Sequence, residues 1–433
     1  MNKVHFDNLQ ETLYNEKLEN GLDVYILPKR GFSKTYVTFT TKYGSIDRTF
    51  IPLGKNEEVT VPDGIAHFLE HKLFEKEDGD VFQEFSVLGG SANAFTSFTR
   101  TSYLFSATDK LYENTEVLLD FVQDPYFTKE TVEKEKGIIG QEITMYDDQP
   151  DWRLYFGMIE NMYHEHPVKI DIAGTIETID EITAEHLYEC YETFYHPSNM
   201  VFFVVGAVDP EEMMKFIKEN QNKKSFSPAE EIKRSFPEEP DSVVQPERTL
   251  SMDVTKPKLS FGMKCTKTDV SGEEMLIREL ASELVMDVLF GRSSDFYANA
   301  YKDDLIDESY SYSFMMENGF GFSMISSDSE NPEDLEKAIR ATLREATTNW
   351  PITDEDLDRQ RKRKIGQFMR SLNSIEFIAN QFTRYLFNDM KLFDVVPVLE
   401  KLTLEDLKNA FSTFNDESGF TVYKVLPAEK ENA

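Results

Sequence analysis

The sequence predicts an α+β protein of two similar domains, each with a sheet covered by helices. Two observations carry this expectation. Segments of alternating apolar residues are interleaved with helical stretches, and the same pattern returns after residue 248. The chain has 433 residues, 40% hydrophobic and 13% aromatic, which is enough for more than one core.

The elements can be justified in chain order. Asn20-Gly21 is a turn signal, and Leu22, Val24 and Ile26 alternate after it, so 18–28 reads as a strand entered from a tight turn. A second strand is expected at 35–41 and a helix at 62–76. A strand at 101–107 precedes helices at 111–123, 128–147 and 180–195. The apolar run 200–208 reads as a buried strand, and a helix follows at 210–219. Residues 220–248 are polar, with prolines and charges and little periodicity, which marks a linker. Beyond it come a strand at 259–265 and a helix at 273–290. FGFSMISSD at 320–328 parallels YLFSATD at 103–109, and each is followed by Glu-Asn (Glu330-Asn331, Glu113-Asn114) and an amphipathic helix. The run 281–290 sits where AHFLEHKLF does in the first half. This internal duplication gives an N-terminal domain at 1–222, a linker at 223–248 and a homologous C-terminal domain at 249–433.

Charge narrows the function classes. Lys+Arg total 46 against 79 Asp+Glu, a formal net charge of −33. Such a surface repels phosphate backbones and anionic lipid heads, so neither nucleic acid nor membrane is an expected partner. Cys190 and Cys265 lie far apart and form no C-x-x-C pair, which points to a reducing compartment. Residues 1–16 hold no apolar core, so no secretory signal is expected, and 200–208 is too short to span a bilayer. The expected setting is soluble and cytoplasmic.

One constellation carries chemistry. GIAHFLEHKLFEK contains His67, Glu70 and His71. On a helix, positions i, i+3 and i+4 share a face, so two imidazoles one turn apart can chelate a divalent ion beside a carboxylate. This H-x-x-E-H order reverses the H-E-x-x-H of zinc peptidases. Phe68, Leu69, Leu73 and Phe74 surround it, so the turn is expected to be buried, and a buried Glu needs a partner or a metal. A catalytic zinc site wants three protein ligands and an open position. The long helix offers the third. Val132, Ile139, Ile143 and Tyr146 form one apolar stripe, and Glu135 and Glu142 fall inside it, where carboxylates are costly unless compensated.

Here the residues resemble a family: the pitrilysin, insulysin and mitochondrial processing peptidase family of inverted zinc metallopeptidases, closest in form to its short two-domain bacterial members. The signature is H-x-x-E-H followed seventy-odd residues later by two glutamates seven apart, matched by Glu135 and Glu142. A second element, G-G-x-x-N-A-x-T, is matched by Gly89, Gly90, Asn93, Ala94 and Thr96, and FYHPSNMVFFVVG at 194–206 matches a family strand. The resemblance implies mostly antiparallel sheets forming half of a clamshell. It implies Zn2+ held by His67, His71 and Glu142, Glu70 as general base, Glu135 behind the ligands, and Asn93 and Ala94 on an edge strand that pairs with the substrate backbone.

One departure stands out. Active members bring an Arg and a Tyr from the C-terminal half to the substrate carbonyl; here Tyr310 holds the Tyr position, but Tyr301 sits where Arg belongs. Losing an oxyanion donor can cost about 3 kcal/mol. Some members split these elements between two chains, so the resemblance implies a heterodimer with a homologous subunit, or a homodimer. The implied activity is zinc-dependent endoproteolysis of peptides or unfolded segments. The alternative is a catalytically weak peptide-binding or scaffolding subunit.

The other motifs carry less. His164 and His166 before Pro167, and His196 before Pro197, read as structured turns. Gly137 and Gly140 weaken the long helix by about 1 kcal/mol each and are expected to permit close packing.

Overall fold

The computed structural model describes residues 1–7, 9–77 and 79–428, and the chain divides into two compact units. The first gathers 1–143, 170–236 and 371–387; the second gathers 144–169, 237–370 and the chain from 388 onward.

The first unit is built on strands β1 (Asn2–Phe6), β2 (Glu11–Lys17), β3 (Asp23–Pro28), β4 (Thr35–Thr41), β5 (Ser91–Thr96), β6 (Thr101–Ala107) and β7 (Met200–Gly206). They form one sheet in the order β1-β2-β3-β7-β4-β6-β5. Only the β3/β7 pair is parallel. The second unit holds β8 (Glu247–Met252), β9 (Lys258–Lys264), β10 (Ser311–Glu317), β11 (Phe320–Asp328) and β12 (Phe420–Pro427), in the order β8-β12-β9-β11-β10. Again one pair, β8/β12, is parallel. The sheets are therefore mostly antiparallel, and β3-β7-β4-β6-β5 has the same connectivity as β8-β12-β9-β11-β10. The duplication expected from sequence is present in the topology.

The helices that matter to the site are α1 (Ile65–Leu73), α2 (Val81–Leu88), α3 (Leu111–Val122), α4 (Lys129–Asp147), α5 (Pro150–Met162) and α6 (Ala184–Phe194) from the first half, and α7 (Gly272–Phe290), α8 (Asp354–Ser371) and α9 (Ile375–Phe387) from the second. The single helix expected at 180–195 is instead two. Ile176–Asp180 ends before α6, whose first turn is capped by the Thr183 hydroxyl accepting from the His186 N–H. In the first unit, Phe39, Phe68, Phe105, Phe194 and Phe202 have no exposed surface, and each such burial stabilises by roughly 2 kcal/mol.

Two helices are exchanged between the halves of the sequence. α5 packs on β9 and β12 of the second unit, while α9 packs on β7 and β4 of the first. Missing Cβ atoms make the fit. A Cβ on Gly157 would meet the Tyr423 ring at 2.3 Å, and one on Gly262 would meet Met162 Cε at 2.1 Å. In the first unit, Phe382 of α9 stacks on Phe203 at 4.6 Å and meets Tyr25 edge-on at 5.0 Å.

The polar stretch at 223–248 is anchored along its length. Lys233–Arg234 pairs with Thr49–Ile51, and Arg234 Nε lies 2.8 Å from Asp47 Oδ1 within the first unit. In the second unit the Glu239 carboxylate accepts from the backbone N–H groups of His164, Glu165 and His166. The buried Lys264 ammonium donates to Glu239 and to the carbonyls of Met162, Pro240 and Ser242. A buried charge with four acceptors is satisfied, so this segment is held by polar contacts that its composition does not advertise. Among the described residues, no helix is long and apolar enough to cross a membrane.

Candidate metal centre

α1 begins at a backbone position only glycine tolerates. Gly64 has φ +88°, and a Cβ there would come 2.3 Å from the Ala173 carbonyl oxygen. The helix then buries Ile65, Ala66, Phe68, Leu69 and Leu73, which fixes its rotation and turns His67, Glu70 and His71 to one side. α4 answers with a buried stripe of Val132, Glu135, Ile139 and Ile143. Glu142, beside that stripe, is partly exposed, so the two expected carboxylates differ in burial.

The three candidate ligands meet. One ligand atom from each of His67, His71 and Glu142 lies within 4.8 Å of the others. Glu142 Oε2 is 3.8 Å from His67 Nε2 and 3.6 Å from His71 Nε2, and the two rings are 4.6 Å apart. Two imidazole nitrogens and a carboxylate oxygen, converging from two helices, are a donor set that fits zinc with a position left open. Glu135 stands behind them, its Oε1 3.1 Å from His71 Nδ1, the arrangement that fixes which ring nitrogen faces the centre. Among the described residues, no contact gives His67 Nδ1 a hydrogen-bond partner, although it is buried.

The electrostatics follow from burial and crowding. Burial, and then the neighbouring His71, push the His67 pKa down to about 3, so its ring is neutral and able to ligate. Burial opposes charge on His71 too, but the Glu135 hydrogen bond and the charges of Glu70 and Glu142 outweigh it and raise that pKa. Burial raises the pKa of Glu70 above the usual carboxylate range, against the Thr96 hydrogen bond and His71, with Glu142 adding to the rise.

Glu70 reaches the outermost strand. Thr96, the last residue of β5, donates from its hydroxyl to Glu70 Oε2 at 2.6 Å. Among the described residues β5 is paired only with β6 and forms the edge of the sheet. Asn93 and Ala94 lie on that edge, where Asn93 Oδ1 accepts from the Ala94 N–H at 2.9 Å. The Gly89-Gly90 pair makes the strand possible. Gly89 ends α2 at φ +75°, and a Cβ on Gly90 would meet Asn114 Oδ1 at 2.2 Å. A cavity of about 720 Å³ opens beside Glu70 and His71, with Asn93 and Ala94 on one wall and the stacked Phe74 and Phe82 rings, 4.2 Å apart, on another.

Tyr310 belongs to the second unit, where its hydroxyl donates to the Phe290 carbonyl at 2.7 Å. Tyr301 is 57% exposed and stacks on Tyr297. One expectation is corrected: Gly137 and Gly140 permit no close packing within this chain, because a Cβ on either would meet nothing within 4 Å. His166 is a buried packing residue, its Nδ1 accepting from the Val168 N–H at 3.1 Å, and His196 closes a turn through Ser198. Two contributors carried no role in the sequence reading. Thr96 was visible as the last letter of its motif. Glu75, which pairs with the fully buried Lys72 and lies 3.6 Å from Lys134, ties the end of α1 to α4 and leaves no motif at all.

The chain is similar to known proteins over nearly its whole length. A family model described as insulinase (peptidase family M16) matches residues 46–176, and one described as peptidase M16 inactive domain matches 181–364. An uncharacterized zinc protease of Bacillus subtilis, YmfH, is 58% identical over 98% of this chain and 99% of its own length. A probable mitochondrial-processing peptidase subunit beta of Arabidopsis thaliana is 29% identical over 41% of this chain and 35% of its own. The crystal structure of a candidate M16-like peptidase from Alicyclobacillus acidocaldarius superposes with a TM-score of 0.93 at 39% identity, covering 98% of this chain and all of that one.

Proposed function

Because the chain belongs to the insulinase family of peptidases, M16, we propose that it is a zinc-dependent endopeptidase acting on peptides or unfolded segments. The observation that supports this most is the convergence of His67, His71 and Glu142 within 4.8 Å, beside a carboxylate that is no part of the trio. Those three residues would hold the metal. When bound there, zinc supplies Lewis acidity, lowering the pKa of water toward 7 and polarising a peptide carbonyl. Glu70 takes the proton of the attacking water and passes it to the leaving amine. Glu135 holds the His71 ring by its Nδ1. The substrate adds as a strand to the edge at Asn93 and Ala94, where main-chain hydrogen bonds give affinity with little demand on sequence. In this reading residues 1–222 are the zinc-bearing domain and 249–433 the homologous one, joined by 223–248.

Tyr310 donates an oxyanion hydrogen bond only if its hydroxyl leaves the Phe290 carbonyl, and Tyr301 supplies no cation. We therefore propose a homologous partner subunit that brings an Arg/Tyr pair, with a homodimer as the other arrangement. The cytoplasmic setting is proposed on the cysteines alone, both free thiols and both buried. A second reading, a catalytically weak peptide-binding or scaffolding subunit, draws on Tyr301 and on the inactive-domain match at 181–364. Glu70→Gln separates the two. The endopeptidase reading expects the variant to keep its zinc, by metal analysis, while cleavage of a quenched peptide library, with and without a candidate partner, falls by about 10²–10⁴-fold. Equal turnover in parent and variant would refute it.

A further inference from the structure

The outermost strand and the proposed base are joined by one hydroxyl. Thr96 Oγ1 lies 2.6 Å from Glu70 Oε2, in a site where the Glu70 side chain is largely withdrawn from water. The direction of that bond is constrained by its neighbour. Thr101 Oγ1 is 3.4 Å from Thr96 Oγ1, and Thr101 spends its own proton on the Tyr43 carbonyl at 2.9 Å. The Thr96 proton therefore goes to Glu70, since a hydroxyl has one proton to give and a carboxylate only accepts. Oε2 accepts this bond, which fixes the rotation of the carboxylate and leaves Oε1 without the hydroxyl's competition for the proton of a reacting group. Thr96 also stands two residues beyond Ala94 on the strand that a peptide would extend.

We propose that Thr96 is a positioning residue: its hydroxyl pins one oxygen of Glu70, presents the other to the scissile bond, and ties the base to the strand on which the substrate is laid. This rests on the endopeptidase reading and adds to it a residue that acts through Glu70. A hydrogen bond to a charged group in a partly dehydrated site is worth about one to two decades in rate when it acts on orientation.

The test uses the full zinc-loaded chain, with its partner if one is required, and the variants Thr96→Val and Thr96→Ser. Thr96→Val is close in shape and lacks the donor. It is expected to hold zinc at the parent's stoichiometry and keep KM within about twofold, while kcat falls about 10- to 100-fold. Thr96→Ser is expected to recover kcat to within a few-fold. Parent-like kcat in Thr96→Val overturns the proposal. So does a Thr96→Ser that fails together with Thr96→Val in zinc content and KM, because that is the mark of a packing role. Crystal structures of zinc-loaded parent and Thr96→Val give a readout that needs no turnover. The Glu70 carboxylate is expected to turn in the variant, and an unchanged orientation sinks the idea. A zinc-loaded parent that shows the bond yet cleaves no peptide overturns the endopeptidase reading and the positioning role with it, whereas parent-like kcat in an active Thr96→Val overturns the positioning role alone.

Discussion

The two units place a helix after their central strand and meet it with a long helix further along, but they balance the buried charge between those helices differently. In the first unit α1 and α4 bring together two imidazoles and the carboxylates of Glu70, Glu135 and Glu142. In the second, α7 carries Glu279, Glu283 and Asp287, and α8 answers with its own cation. Lys364 Nζ lies 2.7 Å from Glu283 Oε2, and Arg363 Nη1 3.9 Å from Asp287 Oδ1. Tyr312 donates to Asp287 at 2.6 Å. Burial raises the Glu283 pKa against the pull of Lys364, and the carboxylates raise the Lys364 pKa against its burial. One scaffold thus leaves room for a foreign cation, and its copy supplies an ammonium of its own. A buried acid cluster tolerates either solution, and under the zinc site proposed above only the first would keep a position open for chemistry.

The comparison can be broken most severely at Glu142. Glu142→Ala is expected to reduce bound zinc from about one per chain to near zero and abolish peptide cleavage, as metal analysis would show. Zinc retained at full stoichiometry would mean that the first unit does not depend on its third donor. Next comes the second unit's cation. Lys364→Met strands buried carboxylates and should cost about 3–5 kcal/mol in denaturant unfolding, while adding Glu283→Leu restores most of it. An unchanged midpoint in the single variant would show that the ammonium balances nothing.

A smaller effect separates the units by pH. Burial holds the His166 pKa, in the second unit, down to about 4. The unfolded chain takes that proton first, so the ring's contribution is whole above about pH 6.5 and is lost as pH falls toward 4, by at most about 3 kcal/mol. His166→Asn keeps an acceptor for the Val168 N–H, and its unfolding free energy should fall less between pH 7 and pH 4.5 than the parent's. Equal slopes would remove His166 from the explanation. Smallest is the glycine effect. Gly137 and Gly140 in α4 and Gly366 in α8 all face open space. Alanine at each is expected to stabilise by about 1 kcal/mol, read as a raised Tm. If the α4 pair alone loses activity while gaining stability, that face of the first unit serves something outside the chain.

Much of this site was legible in the residues. His67, Glu70 and His71 lie on one face because 3.6 residues make a turn, and Glu135 and Glu142 stood out as acids within an apolar stripe. The strands at 35–41, 101–107 and 320–328 match the structure. What stayed hidden is tertiary. The apolar residues of α5, Leu154, Met158, Ile159 and Met162, say that a helix is buried and not which sheet buries it. Gly157 and Gly262 decide that only once the sheet is assembled. The empty surroundings of Gly137 and Gly140 were likewise beyond a sequence, since a small residue marks close approach and bare surface equally well. Lys364 drew no expectation from the sequence, because nothing in a helix as charged as α8 singles out one lysine before Glu283 of α7 is set against it.

The reciprocal loan of α5 and α9 has a consequence for fragments of this protein. A gene cut between residues 223 and 236 would yield one polypeptide lacking the helix that shelters Tyr25 and Phe203, and another lacking the helix whose Gly157 seats Tyr423. Each piece would expose an uncovered sheet and carry an amphipathic segment with nowhere to dock. Reconstitution from separately made halves should therefore succeed by mutual completion, co-expressed and co-purified, where either half alone aggregates.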